Sequence, residues 1–265
     1  MKSSRSAIQR RQMKLLQYLE QMDSCSVSDL SRFLNVSSIT IRRDLDDLES
    51  RKLVTRHFGG ARLVAAQQHS SETEYLHSTS QNLDCKRAIA REAARLLTDG
   101  DIVFINSSAT ALLIYPYITA NVMVITNNGR SLQADCPPNV ELVLTGGEVS
   151  GNKQSLVGQL AVETLSSVTA TKCILGASGV SVAGGITSQV IQETAINRAM
   201  LRRCSGEKIV VADHTKVGLE HNFFSSALSD ITCLITDINA DPQELERIRE
   251  AGITINLVTP LFSNH

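Results

Sequence analysis

Two neighbouring arginines, Arg42 and Arg43, stand in a stretch with helical spacing, and a basic segment with paired glycines follows them closely. Guanidinium groups bind phosphate oxygens and guanine edges because they present several N–H donors in a fixed plane. Ile41, Leu45 and Leu48 share one face of the helical pattern, so Arg43 points away from that face, at about 200° of rotation. The spacing therefore predicts a helix that exposes arginines near its N-terminal end, where the helix dipole also favours anions.

The charge of the chain is unevenly distributed. Residues 1–64 contain 12 Lys and Arg against 7 Asp and Glu, a net charge of +5, which leaves −6 for the remainder of a chain whose formal charge is −1. A basic segment on an acidic body indicates an anionic partner for the first segment alone. The alternative explanation of the arginines is a solvated helix with ion pairs such as Arg43 with Asp47.

Short helices joined by a tight turn are predicted around these arginines. An apolar stripe in residues 8–22 indicates a first helix. The segment "SVSDLSRFL" gives a second helix with one apolar face and with Ser26 or Ser28 as N-cap. Asn35 can take the left-handed conformation of a turn, and Ser37 can then cap the third helix. The last two helices are a helix-turn-helix candidate.

A hairpin is predicted directly after the third helix. The β-prone runs "LVTRH" and "ARLV" flank "FGG", and glycine pairs supply the positive φ angles of a hairpin turn. A recognition helix reads base edges, whereas a basic hairpin beside it contacts the DNA backbone. The residues predicted to contact double-stranded DNA are Ser37, Ser38, Thr40, Arg42, Arg43, Arg56, His57, Gly59, Gly60 and Arg62.

Beyond a polar stretch rich in Ser, Thr and Gln, apolar runs alternate with helical patterns. The runs "IVFIN", "VMVITN", "ELVLTGG", "CILGASG", "KIVVAD", "CLITD" and "TINLVT" have the near-continuous apolar character of strands buried on both faces. Strands of this kind with intervening helices predict an α/β domain with a mostly parallel, Rossmann-like sheet. We therefore expect a winged helix-turn-helix in residues 1–64, a linker in 65–83 and the α/β domain in 84–265.

Polar loops follow several of these strands, where ligands of such a sheet bind. Hydroxyl groups and free N–H groups in the loops can hold an anion, and a lysine can sit beside a phosphate or carboxylate. Serine and asparagine in such loops also commonly cap helices, glycines form turns, and a lysine is often merely solvated. The residues predicted to bind a small effector are Asn106, Ser107, Ser108, Thr110, Thr126, Asn127, Asn128, Gly146, Gly147, Ser178, Gly179, Glu193, Asp213 and Lys216.

The six cysteines are scattered without a CxxC spacing, which indicates reduced, mostly buried thiols. The spacing predicts no metal site and no cofactor. The N-terminal segment lacks the apolar core of a secretory signal, and no apolar run approaches the ~18 residues of a membrane span. We therefore expect a cytoplasmic protein with no membrane partner.

The stretch "VSSITIRRDLDDLESRKLVTRHFGGA" resembles the DNA-binding signature of the DeoR-type bacterial transcriptional regulators, V-S-x-x-T-I-R-R-D-L-x-x-L-x-x-x-x-x-x-x-R-x-x-G-G-A. The match is long and has no gap. It implies a winged helix-turn-helix joined to an effector domain related to ribose-5-phosphate isomerase. A short recognition helix reads few base pairs, so a homo-oligomer, at least a dimer, is expected.

The rest of the chain also resembles the DeoR-type effector domain, with departures in its first loop. The family usually has D-x-G-T-T there, whereas this chain has Asn106 for the acid, Ser108 for the glycine and Ala109 for a threonine. The resemblance implies a repressor of carbohydrate genes that senses a phosphorylated sugar or a sugar acid. The positions that match the family are Thr110, Thr126, Asn127, Gly146, Gly147, Gly176, Gly179, Asp213, Lys216 and Gly218.

An isomerase-like enzyme and a regulator that signals only through protein partners are the alternatives. Isomerisation of a sugar phosphate requires a base that takes a proton from carbon. This chain has Ala177 and Ser178 where the isomerases carry acidic residues, and Glu193 remains as a hydroxyl acceptor or a favourable charge at a helix start. We therefore expect no catalysis.

Overall fold

The computed structural model describes residues 8, 11–12, 14–16, 18–19, 25–50, 54–57, 60–63, 82–151 and 154–260. The chain divides into two compact units, residues 1–81 and 82–265. Most of the predicted linker, residues 65–81, lies outside the described residues. Its last two residues begin the second unit: Asn82 adopts a left-handed conformation with φ of 54°, and Leu83 is the first residue of a helix.

The first unit is a small helical core with a three-stranded antiparallel sheet of order β1-β3-β2. Ser26 caps α1 by accepting the N–H of Asp29 at 3.1 Å, and Asn35 ends the helix with φ of 51°, so both local predictions are confirmed. The elements are β1 Cys25–Ser26, α1 Val27–Leu34, α2 Ser38–Ser50, β2 Val54–His57 and β3 Gly60–Leu63, and helical residues also lie at 8, 11–12, 14–16 and 18–19.

The core of this unit has the composition that the apolar spacing predicts. Ile41, Leu45 and Leu48 of α2 are fully buried, and they pack in one cluster with Leu15 and Leu30. A helix of this length is not stable alone, so the burial of this stripe holds α2 in place. The opposite face of α2 remains available to a partner.

Asp44 makes a buried ion pair that the helical pattern does not indicate. Its side chain is only 4% exposed, and Arg11 binds it through two atoms, with Nε at 2.5 Å and Nη2 at 2.9 Å. A bidentate pair between guanidinium and carboxylate is among the stronger polar contacts in proteins. It joins α2 to the N-terminal helical residues.

We expect Asp44→Ala to destabilise the first unit by about 1.5–3 kcal/mol, the range of a hydrogen bond to a charged group. Hydrogen exchange of the α1 and α2 amides in the full chain measures this loss separately from the second unit. Asp46→Ala is the matched control, because Asp46 is 58% exposed and its pair with Arg56 lies at the surface. Exposed pairs contribute about 0–1 kcal/mol, so equal effects of the two substitutions would contradict the assignment.

The second unit is built on a seven-stranded sheet of order β15-β14-β12-β9-β4-β5-β6. All neighbouring strands in it run parallel, and the seven apolar runs predicted as strands are these seven strands. Their bounds are β4 Ile102–Ile105, β5 Val122–Thr126, β6 Val140–Leu144, β9 Ala170–Gly176, β12 Cys204–Val211, β14 Cys233–Asp237 and β15 Thr254–Val258.

Two smaller antiparallel groups were not predicted. They are the β7–β8 hairpin, Glu148–Ser150 with Ser155–Val157, and a sheet of order β10-β11-β13, Gly179–Ser181, Gly185–Ser188 and Phe223–Ser226. The helices are α3 Leu83–Arg95, α4 Ala109–Leu112, α5 Gln159–Ser166, α6 Ile191–Arg202 and α7 Pro242–Glu250, with short 3-10 helices at Tyr115–Tyr117, Gly129–Gln133, His214–Lys216 and Leu228–Asp230.

The order of the parallel strands reverses between β4 and β9. From β4 the chain proceeds outward to β5 and β6, then returns to β9 on the other side of β4 and continues to β12, β14 and β15. Ligands of open α/β sheets bind at such a reversal, beyond the carboxyl ends of the strands. Both faces of the sheet are covered by buried apolar clusters. No helix in the described part of the chain is long and apolar enough to cross a membrane.

Candidate nucleic-acid interface and effector site

The N-terminal half of α2 presents an exposed polar face. Ser37 caps the helix by accepting the N–H of Thr40 at 3.2 Å, and their hydroxyl oxygens lie 2.9 Å apart. Ile39 on this face is 65% exposed. The other exposed side chains of this face are Ser38, Arg42 and Arg43.

The hairpin β2–β3 forms as predicted, with His57 opposite Gly60. Gly59 lies outside the described residues, as do the side chains of His57 and Arg62. The guanidinium of Arg56 pairs with Asp46, and its backbone N–H donates to Glu49 at 3.2 Å. These contacts attach β2 to α2. The guanidinium of Arg56 must therefore leave the carboxylate of Asp46 before it can bind a DNA phosphate.

Asn106 lies at the carboxyl end of β4, where the strand order reverses. Its Nδ2 donates to the carbonyl of Gly176 at 2.9 Å and to Oδ1 of Asn197 at 3.0 Å, and its Oδ1 accepts the N–H of Gly176 at 2.9 Å. Both ends of the amide are therefore occupied within the protein, which differs from the predicted effector contact. The side chain joins the end of β4 to the end of β9 and to α6.

Ser107 and Ser108 follow in the same loop and have different partners. Ser108 accepts the N–H of Ala111 at 3.0 Å and so caps α4, the ordinary role of serine in such a loop. Its side chain also fills the space beside Gly176, where a Cβ would lie 1.8 Å from the hydroxyl oxygen. The hydroxyl of Ser107 instead contacts Ser155 of β8 at 2.8 Å.

Asn127, after β5, carries a buried acceptor atom with no hydrogen-bond partner among the described residues. The residue is 1% exposed, and its Nδ2 donates to the carbonyl of Leu156 at 3.1 Å and to Ser107 at 3.3 Å. The Leu156 carbonyl can only accept, so it fixes which end of the amide is the oxygen. A buried acceptor without a donor costs about 1–3 kcal/mol, and the hydroxyl of a bound ligand would satisfy it.

Two lysines lie near the carboxyl end of β12. Lys86 of α3 is 4% exposed, and its Nζ is 3.7 Å from the carboxylate of Asp213. Burial lowers the pKa of Lys86, and the charge of Lys216 lowers it further, whereas Asp213 acts in the opposite direction. Lysine ammonium groups attract anions, so the two lysines are candidates to contact an anionic group of a ligand.

Lys86 was absent from the sequence prediction, although a signal was available. It precedes Ile89, Ala90 and Ala93 at spacings of three, four and seven residues, and all three are fully buried. These spacings place Lys86 on the apolar face of α3. A buried lysine is rare unless it is paired, so its position on that face marks a candidate binding residue.

The other predicted effector residues have local roles. Thr126 accepts the N–H of Asn128 at 3.1 Å, and Asn128 accepts that of Arg130 at 3.1 Å. Glu193 lies in the first turn of α6 and accepts a hydrogen bond from Ser188 at 3.1 Å. The remaining predicted residues are Thr110, buried in α4, Gly146 and Gly147, which turn with φ of 69° and 109°, Ser178, whose carbonyl contacts His221 at 3.2 Å, and Gly179, the first residue of β10.

Both units match known families. The DeoR-like helix-turn-helix domain matches residues 11–67, and the DeoR C-terminal sensor domain matches residues 81–238, more than half of the chain. A parallel α/β sheet with a helix-turn-helix unit before it is the architecture of a bacterial transcriptional regulator with a sensor domain. The chain belongs to the DeoR family, whose members are DNA-binding transcriptional regulators.

Relatives along nearly the full length agree with this assignment. The HTH-type transcriptional regulator GolR of Listeria innocua is 30% identical over 93% of this chain and 97% of its own length. The HTH-type transcriptional repressor GlcR of Bacillus subtilis is 32% identical over 86% of this chain and 87% of its own. The lactose phosphotransferase system repressor of Staphylococcus aureus is 29% identical over 82% of this chain and 86% of its own. All three are regulators rather than enzymes.

Solved structures overlap this chain more weakly. Ribose 5-phosphate isomerase A of Methanocaldococcus jannaschii matches with a TM-score of 0.37 and 18% identity over 51% of this chain and 55% of its own. The sorbitol operon regulator SorC of Klebsiella pneumoniae matches with a TM-score of 0.41 and 13% identity over 89% of this chain and 99% of its own. Overlaps of this size carry no argument about function.

We expect Asn106→Asp to destabilise the second unit by about 1–3 kcal/mol. The carboxylate cannot donate to the Gly176 carbonyl or to Asn197, so two buried acceptors lose their donor and face a negative charge. Thermal or urea unfolding of the full chain measures the change. Asn222→Asp is the control, because Asn222 is exposed, and a similar effect of both substitutions would refute the role given to Asn106.

Proposed function

We propose that this regulator represses genes of carbohydrate metabolism in the cytoplasm and that a phosphorylated sugar or a sugar acid, bound in the second unit, changes its affinity for DNA. Two observations at the same sheet support the effector part of this proposal. The buried Oδ1 of Asn127 at the end of β5 has no described hydrogen-bond partner, and Lys86 and Lys216 lie near the end of β12. A polyhydroxylated anion offers hydroxyl donors for the first and a negative group for the second.

The sugar class rests on chemistry and on the relatives together. Asn127, Ser107 and Ser155 form a buried cluster of hydroxyl and amide groups, which suits the many hydroxyls of a sugar. One of the relatives is named for a sugar system, the lactose phosphotransferase system repressor of Staphylococcus aureus. We propose that Asn106 positions the loop of Ser107 and does not bind the effector itself, because its polar atoms already bind the protein.

On the DNA side, α2 is proposed to enter the major groove by its N-terminal end. Its exposed face carries Arg42 and Arg43, while the buried stripe holds its other side. The hairpin is proposed to rest on the backbone, with Arg56, His57, Gly59, Gly60 and Arg62 as its contacts. One helix of this size reads few base pairs, so we propose that at least two chains bind repeated half-sites.

Effector binding and DNA binding are proposed to be coupled with a free energy of about 1–3 kcal/mol, a 5- to 150-fold change in affinity. Thermal-shift screening of sugar phosphates and sugar acids identifies the effector. Gel shifts on the promoters that flank the gene, with and without that compound, then test the coupling. A protein that retains no promoter fragment selectively would refute the proposal.

We expect Arg43→Ala to weaken selective DNA binding by about 1–3 kcal/mol if Arg43 reads a base. A contact with phosphate would instead give the same loss on all sequences and a flatter dependence on salt. Gel shifts of specific and scrambled fragments at several salt concentrations separate these outcomes. Arg249→Ala in α7 is the control, since Arg249 is also exposed but lies in the second unit, and unchanged binding by the Arg43 variant would contradict the assigned face.

We expect Lys216→Ala to abolish or weaken the effector response by about 1.5–3 kcal/mol while leaving DNA affinity without effector unchanged, because one charged contact to the anion is lost. Titration of effector against a fixed protein–DNA complex gives the concentration for half response. Lys208→Ala is the matched control, because Lys208 is on β12 itself and Lys216 lies beyond the carboxyl end of that strand. A full response in the Lys216 variant would exclude this role.

A further inference from the structure

We propose that the second unit contains a site for a divalent transition metal ion, zinc by the nature of the ligands, formed by Cys85, His214 and Asp237. The three residues come from the first turn of α3, the segment after β12 and the last residue of β14. One ligand atom of each lies within 4.8 Å of the ligand atoms of the other two. No spacing in the sequence brings them together.

The distances suit a four-coordinate ion. Zinc bonds of about 2.0–2.3 Å at tetrahedral angles place ligand atoms about 3.3–3.8 Å from one another. Nδ1 of His214 is 2.9 Å from Oδ1 of Asp237, and the widest separation in the group is within 4.8 Å. The His214–Asp237 separation is somewhat shorter than the required one, and a small side-chain rotation would widen it to bind the ion.

The carboxylate of Asp237 is held in place by the backbone. Its Oδ2 accepts the N–H of His214 at 2.8 Å, and its Oδ1 accepts the N–H and the side-chain amide of Asn239 at 3.2 and 2.9 Å. Asp237 is fully buried, whereas the side chain of His214 is 26% exposed and gives solvent a path to the group. Fixed outer contacts of this kind orient metal ligands and strengthen binding.

The chemistry of the three side chains determines which metal ion they would hold. Cys85 is a free, buried thiol. When zinc binds, the thiol proton leaves to solvent and the imidazole proton moves from Nδ1 to Nε2, so that sulfur, nitrogen and carboxylate oxygen each donate a lone pair. Thiolate, imidazole and carboxylate together select zinc over magnesium or calcium. The fourth position remains for water or for an oxygen of a ligand.

The bound ion would connect three segments, two of which also carry the proposed anion-binding residues. Cys85 precedes Lys86, and His214 lies between Asp213 and Lys216. Metal would thereby fix the relative positions of the two lysines. Metal binding at this site does not depend on the identity of the effector.

The test measures metal binding directly on the full-length chain after treatment with a chelator. Competition with a chromogenic zinc indicator is expected to show one zinc ion per chain, with a higher melting temperature in its presence. Cobalt is expected to give the near-ultraviolet thiolate-to-cobalt absorption. Cys85→Ser should abolish this absorption, and Cys85→Ser and His214→Gln should each weaken zinc binding by about 10–100-fold or more.

Matched variants separate this site from adventitious binding. Cys136→Ser removes a more accessible thiol, and His221→Gln removes a histidine outside the site, so both variants should bind zinc as the original chain does. Melting without metal shows which variants are folded, and His214→Gln decides the result if Cys85→Ser is not. Absence of zinc binding, or binding that survives both ligand substitutions, would overturn the proposal and leave His214 and Asp237 as a structural pair.

Discussion

The reversal of strand order between β4 and β9 is the constraint on which the second unit depends. The chain leaves β4 and β9 toward opposite edges of the sheet, and backbone groups beyond the strand ends lose the partners that a continuous ladder supplies. The amide of Asn106 binds both the N–H and the carbonyl of Gly176 and extends through Asn197 to Ser225. Gly176 is required because the Ser108 side chain occupies the space of a Cβ. The loops that carry the polar groups are thereby fixed relative to one another.

Hydrogen bonding within the protein also separates the candidate binding residues from those with a structural role. Asn106 and Ser108 use their polar atoms on the protein, whereas Asn127 retains a buried acceptor without a described partner, and Lys86 keeps a charge in a buried position where burial lowers its pKa. Natural proteins leave few buried acceptors like that of Asn127 unsatisfied, whereas Lys86 is paired with Asp213. The candidate site is therefore better defined by these energetic costs than by the presence of serine or asparagine in a loop.

In the first unit, too, buried contacts fix the position of a functional element, the helix α2. A helix that offers arginines to DNA must be held from its other side, and the buried stripe of α2 together with the Arg11–Asp44 pair does so. The surface acids of α2 meanwhile bind the hairpin through Arg56. The net charge of α2 therefore says little about its role, because its acidic groups serve the fold and its exposed arginines remain for a partner.

The sequence by itself determined the parallel strands, the helix-turn-helix and the family. The seven parallel strands, the cap at Ser26, the turn at Asn35 and the buried face of α2 all follow from local periodicity or from the conformational preference of one residue. The long match to the DeoR signature then supported the function, and the family comparison confirmed it.

Only the tertiary structure decided how distant residues combine. The partners of Asn106, the β7–β8 hairpin that brings Ser155 to Ser107, and the group of Cys85, His214 and Asp237 join residues separated by 23 to more than 100 positions. Contacts over such separations depend on the strand order and on the packing of α3 against the sheet, which local spacing does not encode. The position of Lys86 on the apolar face of α3 follows from the sequence. Its pairing with Asp213 does not, because that contact requires α3 to lie at the end of β12.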